Sequence, residues 1–185
     1  MTLDYDDMWV SIMANRDFNL IVSTYRRCEN DACSEIWFLL GLIGDKESVV
    51  ERTDVSGLIV AKTSLDPFKV VHELRRLLKE KPEEFQYTLR VIPVETIVRT
   101  DLEEIRNACT EISSKIAEDE TFRVTVEKRH TKLPTKEIVE AAAENINRRV
   151  NLENPDKILL IEVLGGLTGI SVVKPEEILS VMKEK

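Results

Sequence analysis

The chain holds only three cysteines in 185 residues, at positions 28, 33 and 109. An odd number without an export signal argues against a disulfide framework. Long hydrophobic runs are missing too: the longest uncharged apolar stretch, Ile36 to Gly44, falls far short of the roughly 20 residues that span a bilayer. Asp4, Asp6 and Asp7 precede a mildly apolar Met8-Trp9-Val10, whereas a secretory signal opens with positive charge, so the expected location is the cytoplasm, with no membrane contact. The two histidines stand in unrelated segments, and Cys28 and Cys33 have no second Cys or His pair at matching spacing. No metal site and no cofactor are therefore expected. Neither a GxxxxGK[ST] loop, nor a GxGxxG after a strand, nor a GxSxG elbow occurs, and no catalytic residue is assigned. Glutamine appears once, at Gln86, in a chain that is 32% charged, a composition that hints at a thermophilic source.

What is present suits a folded α/β protein. Hydrophobic residues make up 43% of the sequence, enough to bury a core in one domain or two small ones. The net charge of −8 is unevenly spread: residues 121–149 carry seven basic and four acidic side chains, and the rest carries nineteen basic and thirty acidic. An acidic body with one basic island confines any nucleic-acid contact to the island, because phosphate contacts supply most of that affinity.

Hydrophobic periodicity sets out the elements. Phe18 to Tyr25 alternates as a strand, and Ala32 to Ile43 reads as a largely buried helix ended by Gly44. Val49 to Thr53 and Leu58 to Lys62 form a hairpin around Asp54-Val55-Ser56-Gly57. Asp66 and Pro67 start a helix with Val71, Leu74, Leu77 and Leu78 inside, and Tyr87 to Thr100 is extended, interrupted at Pro93. This βαββαβ order is the ferredoxin-like motif, over residues 17–100. Residues 1–16 form an extension in which Met8, Trp9, Ile12 and Met13 are spaced for a short amphipathic helix.

Residues 101–185 read as αβαββ. Asp101 caps a helix with Leu102, Ile105, Cys109, Ile112 and Ile116 on its inner face. Phe122, Val124 and Val126 alternate in a strand that runs out into Lys128-Arg129-His130-Thr131-Lys132. Thr135 stands as the N-cap of a helix carrying Ile138, Val139, Ala142 and Ile146. Two apolar strands follow the Asn154-Pro155-Asp156 turn, and a closing helix from Pro175 carries Ile178, Leu179 and Met182. Arg123, Lys128, Arg129, Lys132 and Lys136 are the candidate RNA contacts, because structured RNA is recognised through its backbone and 2′-hydroxyls by such side chains. Arg148, opposite the apolar stripe, joins them, whereas Arg149 falls at the core edge. Asn154 is a possible contact within a turn that needs no ligand to form, and Pro155 is structural. Gly165-Gly166 is a hairpin, with backbone contact to phosphate as the alternative. Glu162, without a partner acid or base in the sequence, is read as an edge or paired residue.

Phe122-Arg123-Val124, Lys128-Arg129, Lys136-Glu137-Ile138, Val150-Asn151-Leu152-Glu153-Asn154-Pro155-Asp156, Ile161-Glu162-Val163 and Thr168-Gly169-Ile170-Ser171-Val172 resemble the RNA-binding THUMP domain. Phe18 to Thr24, Val55-Ser56-Gly57-Leu58 and Ile92-Pro93-Val94-Glu95 resemble the ferredoxin-like domain that precedes it in stand-alone archaeal proteins related to the adaptor subunit of tRNA cytidine acetyltransferase. The resemblance spans about residues 17–183, with Asn151 where the family often has Asp. It implies tRNA binding on behalf of a modifying enzyme. With no stretch left over for a catalytic domain, the expectation is a noncatalytic adaptor whose partners are tRNA and the acetyltransferase that forms N4-acetylcytidine. A small-molecule-sensing regulatory module and an RNA-modifying enzyme in its own right are the alternatives.

Overall fold

The computed structural model of the chain describes residues 17–185, and the helix considered for residues 1–16 lies outside them. Along the chain come β1 (Leu20–Thr24), α1 (Glu29–Leu42), β2 (Val49–Arg52), β3 (Leu58–Lys62), α2 (Pro67–Glu80) and β4 (Thr88–Pro93). Next are β5 (Thr96–Arg99), α3 (Leu102–Ile112), β6 (Thr121–Arg129), α4 (Thr135–Ala143), β7 (Arg149–Val150), β8 (Lys157–Leu164) and β9 (Leu167–Val173). A two-residue β10 (Leu179–Ser180) and the short α5 (Val181–Glu184) close the chain.

The first sheet has the order β10-β4-β1-β3-β2, with all its pairs antiparallel, so β4-β1-β3-β2 has the ferredoxin-like arrangement expected. Leu20, Val22, Ile59, Ala61 and Val91 pack on Ile36, Leu39, Leu40, Val71, Leu74 and Leu78 of the two helices. Full burial of each Val, Leu or Ile side chain among them contributes about 1.5–3 kcal/mol. Asp66 Oδ1 accepts from the backbone N–H groups of Phe68 (2.8 Å) and Lys69 (3.2 Å), which makes it the N-cap the sequence suggests. α1 begins three residues before Ala32, because its first turn, Glu29-Asn30-Asp31, is polar and leaves no apolar signal. The hairpin needs glycine at 57: its φ is +77°, and a Cβ there would sit 3.0 Å from the Thr24 carbonyl oxygen.

Asp45, only 2% exposed, is the more deeply buried of two buried acidic residues in this unit, the other being Glu29 at 7%. Its carboxylate accepts from the Thr63 hydroxyl, from Ser64 N (3.0 Å) and Oγ (2.7 Å), and from Glu47 N (3.1 Å). Burial pushes its pKa up, but the hydrogen bonds from Thr63, Ser64 and Glu47 outweigh burial and hold it below the ordinary value. A depressed folded pKa means that the ionised carboxylate stabilises the fold above the unfolded value, roughly 3.9. That contribution is lost as pH falls through the folded pKa. Asp45→Asn is expected to cost about 1–3 kcal/mol at neutral pH, with the gap from the parent closing in acid. Urea unfolding of both proteins across the acid range measures it, and a gap independent of pH would refute the assignment.

The second sheet has the order β5-β9-β8-β6-β7. β6 runs parallel to β7 and β8, while β8 and β5 flank β9 antiparallel. Ile105, Cys109 and Ile112 of α3 and Ile138 and Ala142 of α4 cover Phe122, Leu159, Ile161, Val163, Ile170 and Val172. Asp101 caps α3, accepting from Glu103 N and Glu104 N, each at 3.0 Å. Thr135 does not cap α4: it is the first helical residue, and Pro134 takes the cap position without a side-chain bond. The helix ends at Ala143, so residues 144–149 do not continue its face.

The chain divides between Val94 and Glu95 and again between Pro175 and Glu176, giving one unit of residues 17–94 and 176–185 and another that contains 95–175. These limits differ from the expected 17–100 and 101–185. Pro93 ends β4, Val94 N donates to Asn19 O (2.8 Å) and Glu95 N to Ile170 O (3.1 Å), so the single extended segment supplies a strand to each sheet. The closing helix from Pro175 is instead a single 3-10 turn (Pro175–Glu177), β10 and α5. Leu179 and Ser180 pair with Val91 and Arg90 of β4, and Glu184 pairs with Arg75 Nε at 2.6 Å.

Candidate functional site

The nine residues of β6 carry the candidate side chains to two places. Because β6 and β8 are parallel, their starts share one end of the sheet and their exits the other. Thr121 and Arg129 are therefore about 26 Å apart at strand rise. Arg123, Arg148 and Asn154 belong to the starting end, and Lys128, Arg129, Lys132 and Lys136 to the exit.

At the starting end the polar groups hold the chain together. Arg123 Nη1 donates to Leu152 O (2.8 Å), and its Nε to Thr125 Oγ1 (3.2 Å). Arg148 Nε donates to the carbonyls of Ile116 (2.9 Å) and Ala117 (3.1 Å), and Nη1 to Asn147 O (2.8 Å). Its guanidinium serves loop carbonyls, contrary to the surface role read from helical spacing, because the helix stops before it. Arg149, expected at a core edge, is exposed in β7. Asn145 and Asn147, residues that favour helix ends, carried the signal for this. Asn151 Oδ1 accepts from Glu153 N (3.2 Å) and Asn154 N (3.0 Å), so asparagine makes the turn without the family's usual Asp. Asn154 itself is exposed, and Pro155 is buried. Asp156 Oδ2 accepts from Thr121 N (2.8 Å) and Oγ1 (3.1 Å), which ties the turn to the start of β6. The Thr121 backbone bond, then its hydroxyl, holds the Asp156 carboxyl below its usual value.

At the exit, Arg129 and Glu162 are diagonal neighbours across β6 and β8, since Glu127 lies directly opposite Glu162. Arg129 Nη1 meets Glu162 Oε2 at 2.6 Å, with the side chains 23% and 2% exposed. Arg129 is thus the partner that Glu162 lacked in the sequence, on an inner strand rather than an edge, and its guanidinium is held by that pair rather than fully exposed. Lys128, Lys132 and Lys136 remain exposed. Lys128 Nζ donates to Leu133 O (2.9 Å), and Lys136 lies 3.9 Å from Glu140. His130, at φ +56°, turns the chain immediately after β6. Gly165 N donates to Arg129 O (2.9 Å), joining the β8–β9 hairpin to this exit. Gly165 has φ +62°, the backbone a two-residue hairpin requires, so the hairpin accounts for it. The result is three ammonium groups spread over one strand exit and the first turn of the next helix, which suits phosphate far better than an apolar ligand.

Among the described residues no group of three or more His, Cys, Asp or Glu side chains is placed to hold a metal. Cys28 and Cys33 are half-buried free thiols, and burial pushes the Cys109 thiol up to about 12. No described helix is long and apolar enough to cross a membrane.

The segment from the end of β5 through β9, residues 99–173, matches the family model of the THUMP domain. This part of the chain is a THUMP domain. THUMP domains bind RNA and belong to the machinery of tRNA modification. The sequence is 25% identical over 170 residues to the uncharacterized protein MJ0421 of Methanocaldococcus jannaschii, covering 89% of this chain and 43% of that protein. PH1313 of Pyrococcus horikoshii shares the fold with a TM-score of 0.60 at 20% identity, over 88% of this chain and 55% of the other. A 4-thiouridine synthetase solved as an RNA complex with bound ATP gives a TM-score of 0.51 at 17% identity, over 85% and 42%. The chain spans about half the length of these relatives. Its THUMP domain carries both ends of β6, and the three candidate lysines, Lys128, Lys132 and Lys136, lie at the exit.

Proposed function

We propose that this protein is a noncatalytic, cytoplasmic tRNA-binding adaptor that presents tRNA to a modifying enzyme, the acetyltransferase that forms N4-acetylcytidine. The observation that carries the RNA half is the exposed Lys128, Lys132 and Lys136 at the β6 exit of a THUMP domain. The structural neighbour solved with RNA supports the same ligand class. The adaptor half draws on the resemblance of Phe18 to Thr24 and Ile92 to Glu95 to the adaptor's relatives. It also draws on the two α/β units into which the described residues fall. A basic exit on a chain of net charge −8 favours orientation of a charged ligand over indiscriminate affinity.

Equilibrium binding of the purified protein to folded tRNA across a salt series, beside a generic RNA duplex, tests the first half. Preference for tRNA, with a salt slope that reports a few phosphate contacts, is expected; equal affinity for the duplex would overturn it. The second half is read by mass spectrometry of tRNA nucleosides after incubation with the acetyltransferase and an acetyl donor. The adaptor should raise N4-acetylcytidine yield, and should leave tRNA unmodified when the enzyme is omitted. Modification by the chain alone would refute the noncatalytic reading.

A further inference from the structure

The solvent side of the C-terminal half of α1 has the composition of an interior. From Ile36 to Gly44 the helix and its end contain no charged side chain, and Trp37, Phe38 and Leu42 are 61%, 43% and 44% exposed. A helical stretch that is apolar all round is normally covered on all sides. α2, in the same unit, instead exposes Lys69, His72, Arg76 and Glu80. Beside α1 lies β2, the end strand of its sheet, and Arg52 Nη1 donates to Asn30 Oδ1 (3.3 Å), tying the strand to the helix. Val49 on β2 is 54% exposed, while Val50 packs toward the helix layer.

We propose that this edge and helix form the interface with a second copy of the chain, β2 pairing antiparallel with β2 and α1 packing on α1. End strands offer backbone donors and acceptors to a further strand, and an identical strand closes the contact by two-fold symmetry. The symmetry restricts the register. A two-fold axis perpendicular to the sheet keeps side-chain faces matched, so within β2 either Val50 faces Val50 or Glu51 faces Glu51. The second choice sets like charges directly opposite, which is destabilising. The first places Val50 against Val50 beneath the helices and Val49 beside Glu51 on the other face. Above it, the uncharged C-terminal half of α1 matches itself better than it matches a charged partner. Gly41, over which a Cβ would meet open space, lets Trp37 of the opposing helix come close.

Sedimentation velocity of the full chain over a concentration series is the test. The parent is expected to be a dimer. Trp37→Lys/Leu42→Lys, which alters solvent-facing positions only, should raise the dissociation constant about thirty-fold or more with an unchanged far-UV circular dichroism spectrum. Val49→Glu should weaken the dimer more than Val49→Lys, since glutamate would face Glu51 and lysine would pair with it. A parent that is monomeric at every concentration would overturn the proposal and assign the face to another protein or to lipid. A dimer indifferent to the helix variants would overturn it too. Equal behaviour of the two Val49 variants would remove the strand pairing.

Discussion

Replacing Lys128, Lys132 and Lys136 together by alanine is expected to abolish tRNA binding at moderate salt while leaving the fold intact. All three are exposed, and inside the protein the substitution removes the hydrogen bond from Lys128 to Leu133 O and a loose 3.9 Å pair between Lys136 and Glu140. Such surface changes alter stability by about 0.5 kcal/mol or less each. The effect on RNA is of another size. Each lysine that neutralises a phosphate releases a counterion, so loss of three should reduce the slope of log affinity against log salt by about 3. Filter binding of tRNA from low to high salt, with a thermal melt of the same samples, separates the two effects. An unchanged slope with an unchanged melt would remove the exit from the binding surface and turn attention to exposed Arg149 at the far end of β6.

Arg129→Ala is expected to behave in the opposite way, as a loss of fold. Removing Arg129 leaves Glu162, 2% exposed, as a carboxylate inside the sheet without the guanidinium 2.6 Å away. Breaking a buried ion pair by deleting one partner costs about 3–5 kcal/mol. Replacing both partners by apolar residues of similar volume, Arg129→Met with Glu162→Leu, should return most of that loss, since neither desolvated charge then remains. Urea titrations of the single and double variants measure it. A stable Arg129→Ala protein that no longer binds tRNA would instead make Arg129 an RNA contact. The two experiments together divide adjacent residues, Lys128 and Arg129, into a ligand contact and a pillar of the sheet.

The elements are legible in the sequence where local chemistry fixes them. Asp66-Pro67 and Asp101 cap the helices they are expected to cap, and the alternation of Phe122, Val124 and Val126 gives β6. What stays hidden depends on partners distant in sequence. Nothing in Thr96 to Arg99 states that it pairs with β9 rather than extending β4, and Leu179 gives no local sign of pairing with Val91. The site divides on the same principle. A run of Lys and Arg says where cations collect, but Glu162, which neutralises Arg129, lies 33 residues away. Arg148 differs from its expected place for a local reason: helical spacing assigns it a face on a helix that has already ended at Ala143.

The return of residues 176–185 to the first unit also bears on how the protein is made. A ribosome delivers β1 to β4 early, yet the strand that flanks β4 emerges only after the whole THUMP domain has been synthesised. Through that interval β4 presents a bare edge, the kind of surface on which nascent chains pair with one another. Arg75, meanwhile, waits for Glu184 and the Ile178 carbonyl. The last ten residues act as a latch on the first unit, and translation time sets how long that latch stays open.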